Sequence, residues 1–264
     1  MTVRTFLIRG LIAGFIAGIL TFAVAHTIGE PPVGAAIAFE EANAAPEPAE
    51  HSHDEGAAAE HSHDAEDAEV SRANQSTWGL LTATLVFGTF LGGLIGLVAA
   101  YAAGRLGRLL PAGSTAVVAA LGFVSFYLVP YLKYPPNPPA VGDPNTITER
   151  TAQYFSIVLI SVVAAVAAVV LSRTLTRTLG TYRGLVIPAL GYLAIVVVAS
   201  MLLPSINEVP RDFSPSVLWD FRVASVGTQA TLWATIGLVL SGLIAHAYSR
   251  ETAKQEHGLV GTAR

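Results

Sequence analysis

The 264-residue chain has no cysteine, which excludes disulfides, iron–sulfur clusters and thiolate-held metals. Charge is scarce too. Asp, Glu, Lys and Arg make up 13% of the residues, about half the share in an ordinary soluble domain. There is no Gly-x-x-x-x-Gly-Lys-Ser/Thr loop to cradle a nucleotide, so any energy from ATP has to come through a partner. Neither His-Glu-x-x-His nor a Ser/His/Asp arrangement is present, so the chain does not read as an enzyme. Nothing points to nucleic acid as a partner.

Long apolar runs take the place of charge, since 52% of the chain is hydrophobic. Six stretches stand out, at Thr5–Thr27, Trp78–Ala103, Ser114–Leu132, Tyr154–Ser172, Gly184–Leu203 and Ser225–Tyr248. Each is near the ~20 residues that cross ~30 Å of hydrocarbon at ~1.5 Å per residue. Helices satisfy their own backbone groups inside lipid, and the short alternating segments of a membrane barrel are not seen. The expected fold is therefore all-α: a polytopic membrane protein of about six transmembrane helices in three hairpins. Residues 1–28 would form the first helix, 29–76 an acidic His-rich extracytoplasmic loop, 77–249 a five-helix membrane body and 250–264 a cytoplasmic tail. The loop is acidic and poor in large apolar side chains, so it is expected to stay disordered without ligand.

Arg and Lys set the expected orientation. With the N-terminus inside, the cytoplasmic segments hold Arg4, Arg9, Arg105, Arg108, Arg173, Arg177, Arg183, Arg250, Lys254 and Arg264. Only Arg72, Lys133, Arg150, Arg211 and Arg222 then lie outside, which fits the positive-inside rule. The localisation read from this is the cytoplasmic (inner) membrane, multi-pass, with both termini cytoplasmic. The first run is too long for a cleaved signal peptide and is read as an uncleaved span. Its Gly10, Gly14 and Gly18 make a small-residue face suited to close helix packing.

The most informative stretch is the doubled Glu50-His51-Ser52-His53-Asp54 and Glu60-His61-Ser62-His63-Asp64. Imidazole and carboxylate are ligands for Co²⁺, Ni²⁺, Zn²⁺ or Cu²⁺ when no thiolate is offered. Such a loop also fits a solubilising low-complexity segment or a pH sensor. On the metal reading the candidate ligands are His51, His53, His61, His63, Glu50, Asp54, Glu60 and Asp64. His26 and Glu30, four apart on a helix, would form a second metal stop, or simply anchor a helix end. Gln153 and Gln229 lie at the membrane border, where an amide bonds another helix or lines an ion path. Arg150, Glu208 and Arg222 complete the candidate pathway. Gln75, Gln153 and Gln229 each open an even-numbered span behind an arginine, a weak sign of three-hairpin duplication.

Several of these segments together resemble the CbtA family, the predicted cobalt transporter subunits. They are the basic N-terminus before a Gly/Ala-rich span, the His-rich outer loop and Tyr134-Pro135-Pro136-Asn137-Pro138-Pro139. They continue with Glu149-Arg150-Thr151-Ala152-Gln153-Tyr154-Phe155 and the segment from Phe213 to Ser225, followed by Gln229 and Trp233. The resemblance implies Co²⁺ uptake linked to cobalamin metabolism and a small one-span, His-bearing companion subunit. The family is usually described with five spans, against the six stretches counted here, and its Arg–Gln pair is separated as Arg150 and Gln153. The expected partners are the lipid bilayer, a divalent metal ion and that companion. No cofactor is expected to stay bound; Co²⁺, or Ni²⁺ or Zn²⁺, would be cargo. The rival reading is a membrane-anchored metal buffer or sensor that transports nothing.

Overall fold

A computed structural model describes residues 1–43 and 71–262. Among them there are only helices and connecting loops, and five helices are long and apolar enough to cross a membrane. We number them α1 (Val3–Asn43), α2 (Arg72–Ala102), α3 (Pro111–Lys133), α4 (Pro144–Leu202) and α5 (Pro215–Thr262). Local chemistry sets their starts. The Thr2 hydroxyl accepts from the Thr5 amide at 3.3 Å, Asp143 Oδ1 accepts from the Asn145 amide at 2.8 Å, and Pro111 and Pro144 occupy first helical positions. These are the residues that spare or satisfy the orphan amides of a first turn.

The closest packing is between α1 and α2, and glycine makes it possible. A Cβ on Gly18 would lie 2.7 Å from the Thr84 carbonyl oxygen, and one on Gly88 2.7 Å from that of Gly14. A Cβ on Gly96 would sit 2.6 Å from the Phe6 oxygen, while Gly10 and Gly14 press still harder on Gly92 and Gly88. The small-residue face expected on α1 is there, and it meets a matching glycine row on α2. Each step of four along one helix answers a step of four back along the other. Residue 10 faces 92, 14 faces 88 and 18 faces 84, then 26 meets 76 and 30 meets 72. A π-helical turn interrupts each helix, at Ala25–Gly29 and Gln75–Gly79. Because the two turns lie at the same level, their irregularities compensate and the pairing continues past them.

The main core joins four helices. Phe6, Ala13 and Ala17 of α1 pack with Leu91, Ile95 and Ala99 of α2 and Ala119 of α3. The other side is a stripe on α5, where Leu232, Ile236, Leu240 and Ile244 recur every fourth residue and so share one face. Gly122 leaves room for the Trp233 indole, whose Cζ3 would be 2.5 Å from an added Cβ. Helix α4 packs separately on α3, through Ile157, Val196 and Ala199 against Val129.

The sequence reading separates a fourth and a fifth span between Ser172 and Gly184. The structure breaks within that interval: the helical element of 59 residues, about 88 Å if straight at 1.5 Å per residue, is two helices that meet at a kink. It is not straight. Gly180 has φ 80° and ψ 168°, a left-handed conformation that only glycine adopts cheaply. Beyond it the chain turns back: the Ser161 and Tyr192 hydroxyls are 2.9 Å apart. A Cβ on Gly184 would sit 2.5 Å from the Thr176 amide nitrogen. Two helices therefore meet at a single reversed residue, inside the interval where the sequence separates two spans.

One correction concerns the outer loop. Residues 30–43 are helical rather than disordered. Ala36 and Phe39 pack on Val141 and Phe213, with the Phe39 and Phe213 rings edge to face at 5.0 Å. A local reading misses this because the segment's apolar partners lie more than a hundred residues away.

Large apolar side chains such as Phe15, Phe90, Leu159, Val166 and Leu190 point outward, as lipid-facing residues do. Trp78 and Trp219 are exposed at one end of the bundle and Tyr101 and Tyr182 at the other, the positions of interfacial aromatic belts. Trp233 is buried and serves packing.

Gly14→Ala should destabilise the detergent-solubilised protein by about 1–3 kcal/mol, because a methyl group must push two backbones apart. Gly191→Ala, with nothing within 4 Å of the added Cβ, should be neutral or stabilising by up to about 1 kcal/mol. Equilibrium unfolding of both variants checks the contrast.

Candidate functional site

The chemistry-bearing residues collect at one end of the bundle, where α1 leaves its glycine contact and the proline-rich loops of α3–α4 and α4–α5 meet. The expected ligands between Glu50 and Asp64 lie outside the described residues. His26 and Glu30 are both described, and both reach α2. His26 Nδ1 is 3.0 Å from the Ser76 carbonyl oxygen. A carbonyl only accepts, so Nδ1 carries the hydrogen and Nε2 of the neutral ring keeps its lone pair. This is how a metal-binding imidazole is oriented by its other nitrogen. Phe22 stacks on the same ring with centroids 5.5 Å apart, which restricts its rotation.

Glu30 is paired with Arg72. The two residues singled out four apart are thus brought to one side of α1, but the carboxylate is already neutralised by a guanidinium. Among the described residues, no three His, Asp or Glu side chains come together as a ligand set.

A second network ties the loops. Glu208 accepts from the Asp143 amide at 2.8 Å and from the Thr146 hydroxyl at 2.6 Å. Its carboxylate is 3.4 Å from Arg150 Nη1, and Arg150 Nη2 donates to the Asp143 carbonyl at 3.0 Å. Gly142, with φ 136°, lets the guanidinium approach, since a Cβ there would be 2.5 Å from Nη1. The Thr146 hydroxyl first, then the Asp143 amide and Arg150, hold the Glu208 carboxyl below the ordinary carboxylate range. Arg222 does similar work nearby. Its Nη2 donates to Asn137 Oδ1 at 3.0 Å and its Nε to the Pro136 carbonyl at 3.4 Å. Lys133 donates to the Leu203 carbonyl at 2.9 Å, and the Tyr134 hydroxyl to that of Pro204 at 2.7 Å. Three of the expected pathway residues, Arg150, Glu208 and Arg222, therefore clamp loops together.

Gln153 is buried one turn inside Arg150, and its Nε2 donates to Glu149 Oε1 at 2.8 Å. Gln229 is half-buried on α5, two turns beyond Arg222. The structure also brings forward Asp143, Thr146 and Tyr127, which sequence reasoning passed over, and pairs Glu149 with the Gln153 amide. Asp143-Pro144 carried a usable helix-start signal. Tyr127 carried none, because a tyrosine in an apolar run looks like packing.

The pH dependence follows from Glu208. Its folded-state pKa is lowered, so its contribution is present above the ordinary carboxylate pKa of about 4.3 and is lost as pH falls through the folded value. Thermal unfolding in detergent from about pH 6 down to pH 3 should show a steeper loss for the wild type than for Glu208→Gln. Parallel curves would show that the clamp does not couple to stability.

A family model described as "Probable cobalt transporter subunit (CbtA)" matches residues 3–245. No curated protein and no solved structure gives a match. The matched region contains every described helix up to the last turns of α5, the glycine-packed pair and the loop clamps, so the chain belongs to the CbtA family.

Proposed function

We propose that this chain is the membrane subunit for uptake of a divalent transition metal, Co²⁺ in the first place. The single observation that carries the reading is the family match across nearly the whole chain, on a bundle with five helices apolar enough to span lipid. In this reading α4 crosses twice, once on each side of Gly180, giving six crossings with both termini cytoplasmic in the inner membrane. The Glu/His/Asp repeats outside raise the local metal concentration. His26 then receives the ion through Nε2, and Glu30 joins it when Arg72 lets go. Gln153 and Gln229 line the continuing route. A one-span, His-bearing companion would deliver or accept metal, in keeping with a family of transporter subunits. An inside-negative potential contributes about 4.6 kcal/mol per 100 mV to moving a dication inward, enough to drive accumulation without ATP.

The test is uptake of radioactive cobalt into proteoliposomes with an imposed inside-negative potential and Ni²⁺ and Zn²⁺ as competitors. Saturable, potential-dependent uptake is expected. Metal bound to the protein with none reaching the lumen, with or without a companion, would sink the reading. The Glu30–Arg72 pair gives a sharper result: Arg72→Gln should lower the KM for cobalt and Glu30→Gln should raise it. If both variants damage uptake alike, the pair is an anchor only.

A further inference from the structure

Helix α4 is braced at one end. The main core contains no α4 residue. Its contacts with α3 run through Ile157, Ile160, Tyr192 and Val196, all in the half of each arm nearer the loop clamps. Toward Gly180 no α4 residue belongs to an apolar cluster, and nothing lies within 4 Å of a Cβ built on Gly180.

Three arginines stand at this unbraced end. Arg173, Arg177 and Arg183 are all exposed. Gly184 abuts Thr176 across the turn, so their chain neighbours Arg183 and Arg177 leave the two arms side by side. No Asp or Glu occurs between Glu149 and Glu208. Among the described residues the ion pairs are Met1–Glu251, Glu30–Arg72 and Arg150–Glu208, so none of the three arginines meets a carboxylate. Arg9 and Arg105, at the same end of the bundle, donate instead to the main-chain carbonyls of Thr5 and Tyr101.

The arrangement is unfavourable by itself. Arg173 and Arg177, four apart, repel each other on one helix face. Arg183 opens the second arm, where the helix dipole disfavours a cation and favours an anion. Three guanidiniums gathered at one turn call for a counter-anion, and their forked donors match the oxygens of a phosphate.

Depth identifies the source of that anion. From Tyr154 to Ser172 the first arm runs about 28 Å at ~1.5 Å per residue, close to the ~30 Å of hydrocarbon. With the clamps at one membrane surface, the arginines therefore lie among the headgroups of the other. Leu179 and Tyr182 beside them are 44% and 79% exposed, as suits a boundary where apolar and aromatic side chains meet lipid. A soluble anion leaves those two side chains in water, whereas a lipid covers them with its chains.

We infer that the Gly180 turn of α4 is a docking site for an anionic phospholipid, its phosphate held between Arg177 and Arg183 with Arg173 one turn deeper. The lipid braces the end of α4 that the other helices do not. In the proposed orientation this is the cytoplasmic leaflet, whose surface is negative. The site requires only that the helices span lipid, and it stands whether or not the chain moves metal.

The test uses the full-length protein in mild detergent, with phosphatidylglycerol as the probe and phosphatidylcholine as the neutral control. Native mass spectrometry counts the lipid retained. The wild type should keep phosphatidylglycerol in preference to phosphatidylcholine. Arg177→Gln combined with Arg183→Gln should weaken that retention at least about tenfold, from roughly a factor of five for each arginine near a charged surface. Arg177→Lys with Arg183→Lys should fall between, since the charge stays and the fork is lost. Arg105→Gln with Arg108→Gln, and Arg211→Gln at the opposite end, should leave retention unchanged. An unaltered elution volume and unaltered phosphatidylcholine binding show that the Gln variant has folded. Full retention in that folded variant would overturn the site. An equal loss on changing Arg105 and Arg108 would do so too, because the attraction would then be a diffuse field. Displacement of the lipid by millimolar inorganic phosphate would make the ligand a soluble anion and sink the proposal as well.

Discussion

The backbone contact between α1 and α2 is the constraint on which the rest of this structure depends. Inside lipid no hydrophobic effect pulls helices together, because the surrounding tails are as apolar as leucine. Association then relies on dispersion, and dispersion rewards the closest approach. Gly10, Gly14 and Gly18 against Gly96, Gly92 and Gly88 bring main chain onto main chain, with no side chain between them to adjust. Such a contact admits one register, since a shift along either helix drives a Cβ-bearing residue into a facing carbonyl.

That register decides what meets what at the helix ends. Continued outward, it sets His26 against Ser76 and Glu30 against Arg72. The paired π-helical turns matter for the same reason: one alone would rotate a helix end and part both contacts. The orientation of the His26 lone pair is thus a consequence of glycine packing several turns away. The loop clamps around Glu208 and Arg222 are a separate device. They join loops whose prolines already limit their shapes, so that a few polar side chains suffice to hold them.

Much of this was legible in the sequence, and what was not has physical reasons. The apolar runs showed because lipid demands them, and the glycine face of α1 showed because its spacing is helical. The answering face on α2 needed a pairing that no single segment contains. Charge places a boundary inside α4 between Arg173 and Arg183, and the backbone reverses within that interval, at Gly180. Helix 30–43 looked like an acidic tail until Phe213 supplied a surface for Phe39. His26 and Glu30 were recognisable as a pair. The arginine that neutralises Glu30 was not, since Arg72 lies beyond the long His-rich segment in the sequence.

The polar groups inside the bundle also bear on how an ion would travel. Among the described residues, the buried polar side chains of the core helices are Thr21, Ser114, Thr115, Ser125, Gln153 and Ser161, all neutral. Stripping a divalent cation bare among neutral groups in a low-dielectric interior would cost far more than the about 4.6 kcal/mol per 100 mV that the membrane potential supplies. An ion on this route must therefore keep water, and neutral oxygens that hydrogen-bond that water suit the task better than strong ligands. If the chain carries metal as proposed, discrimination by ligand softness belongs at the mouth, where His26 presents the imidazole. Farther in, an ion that still wears its water is sorted by size and charge alone. On the proposed reading the chain would separate choosing a metal from passing it, and the His26 ring that chooses would be held in place by a row of glycines.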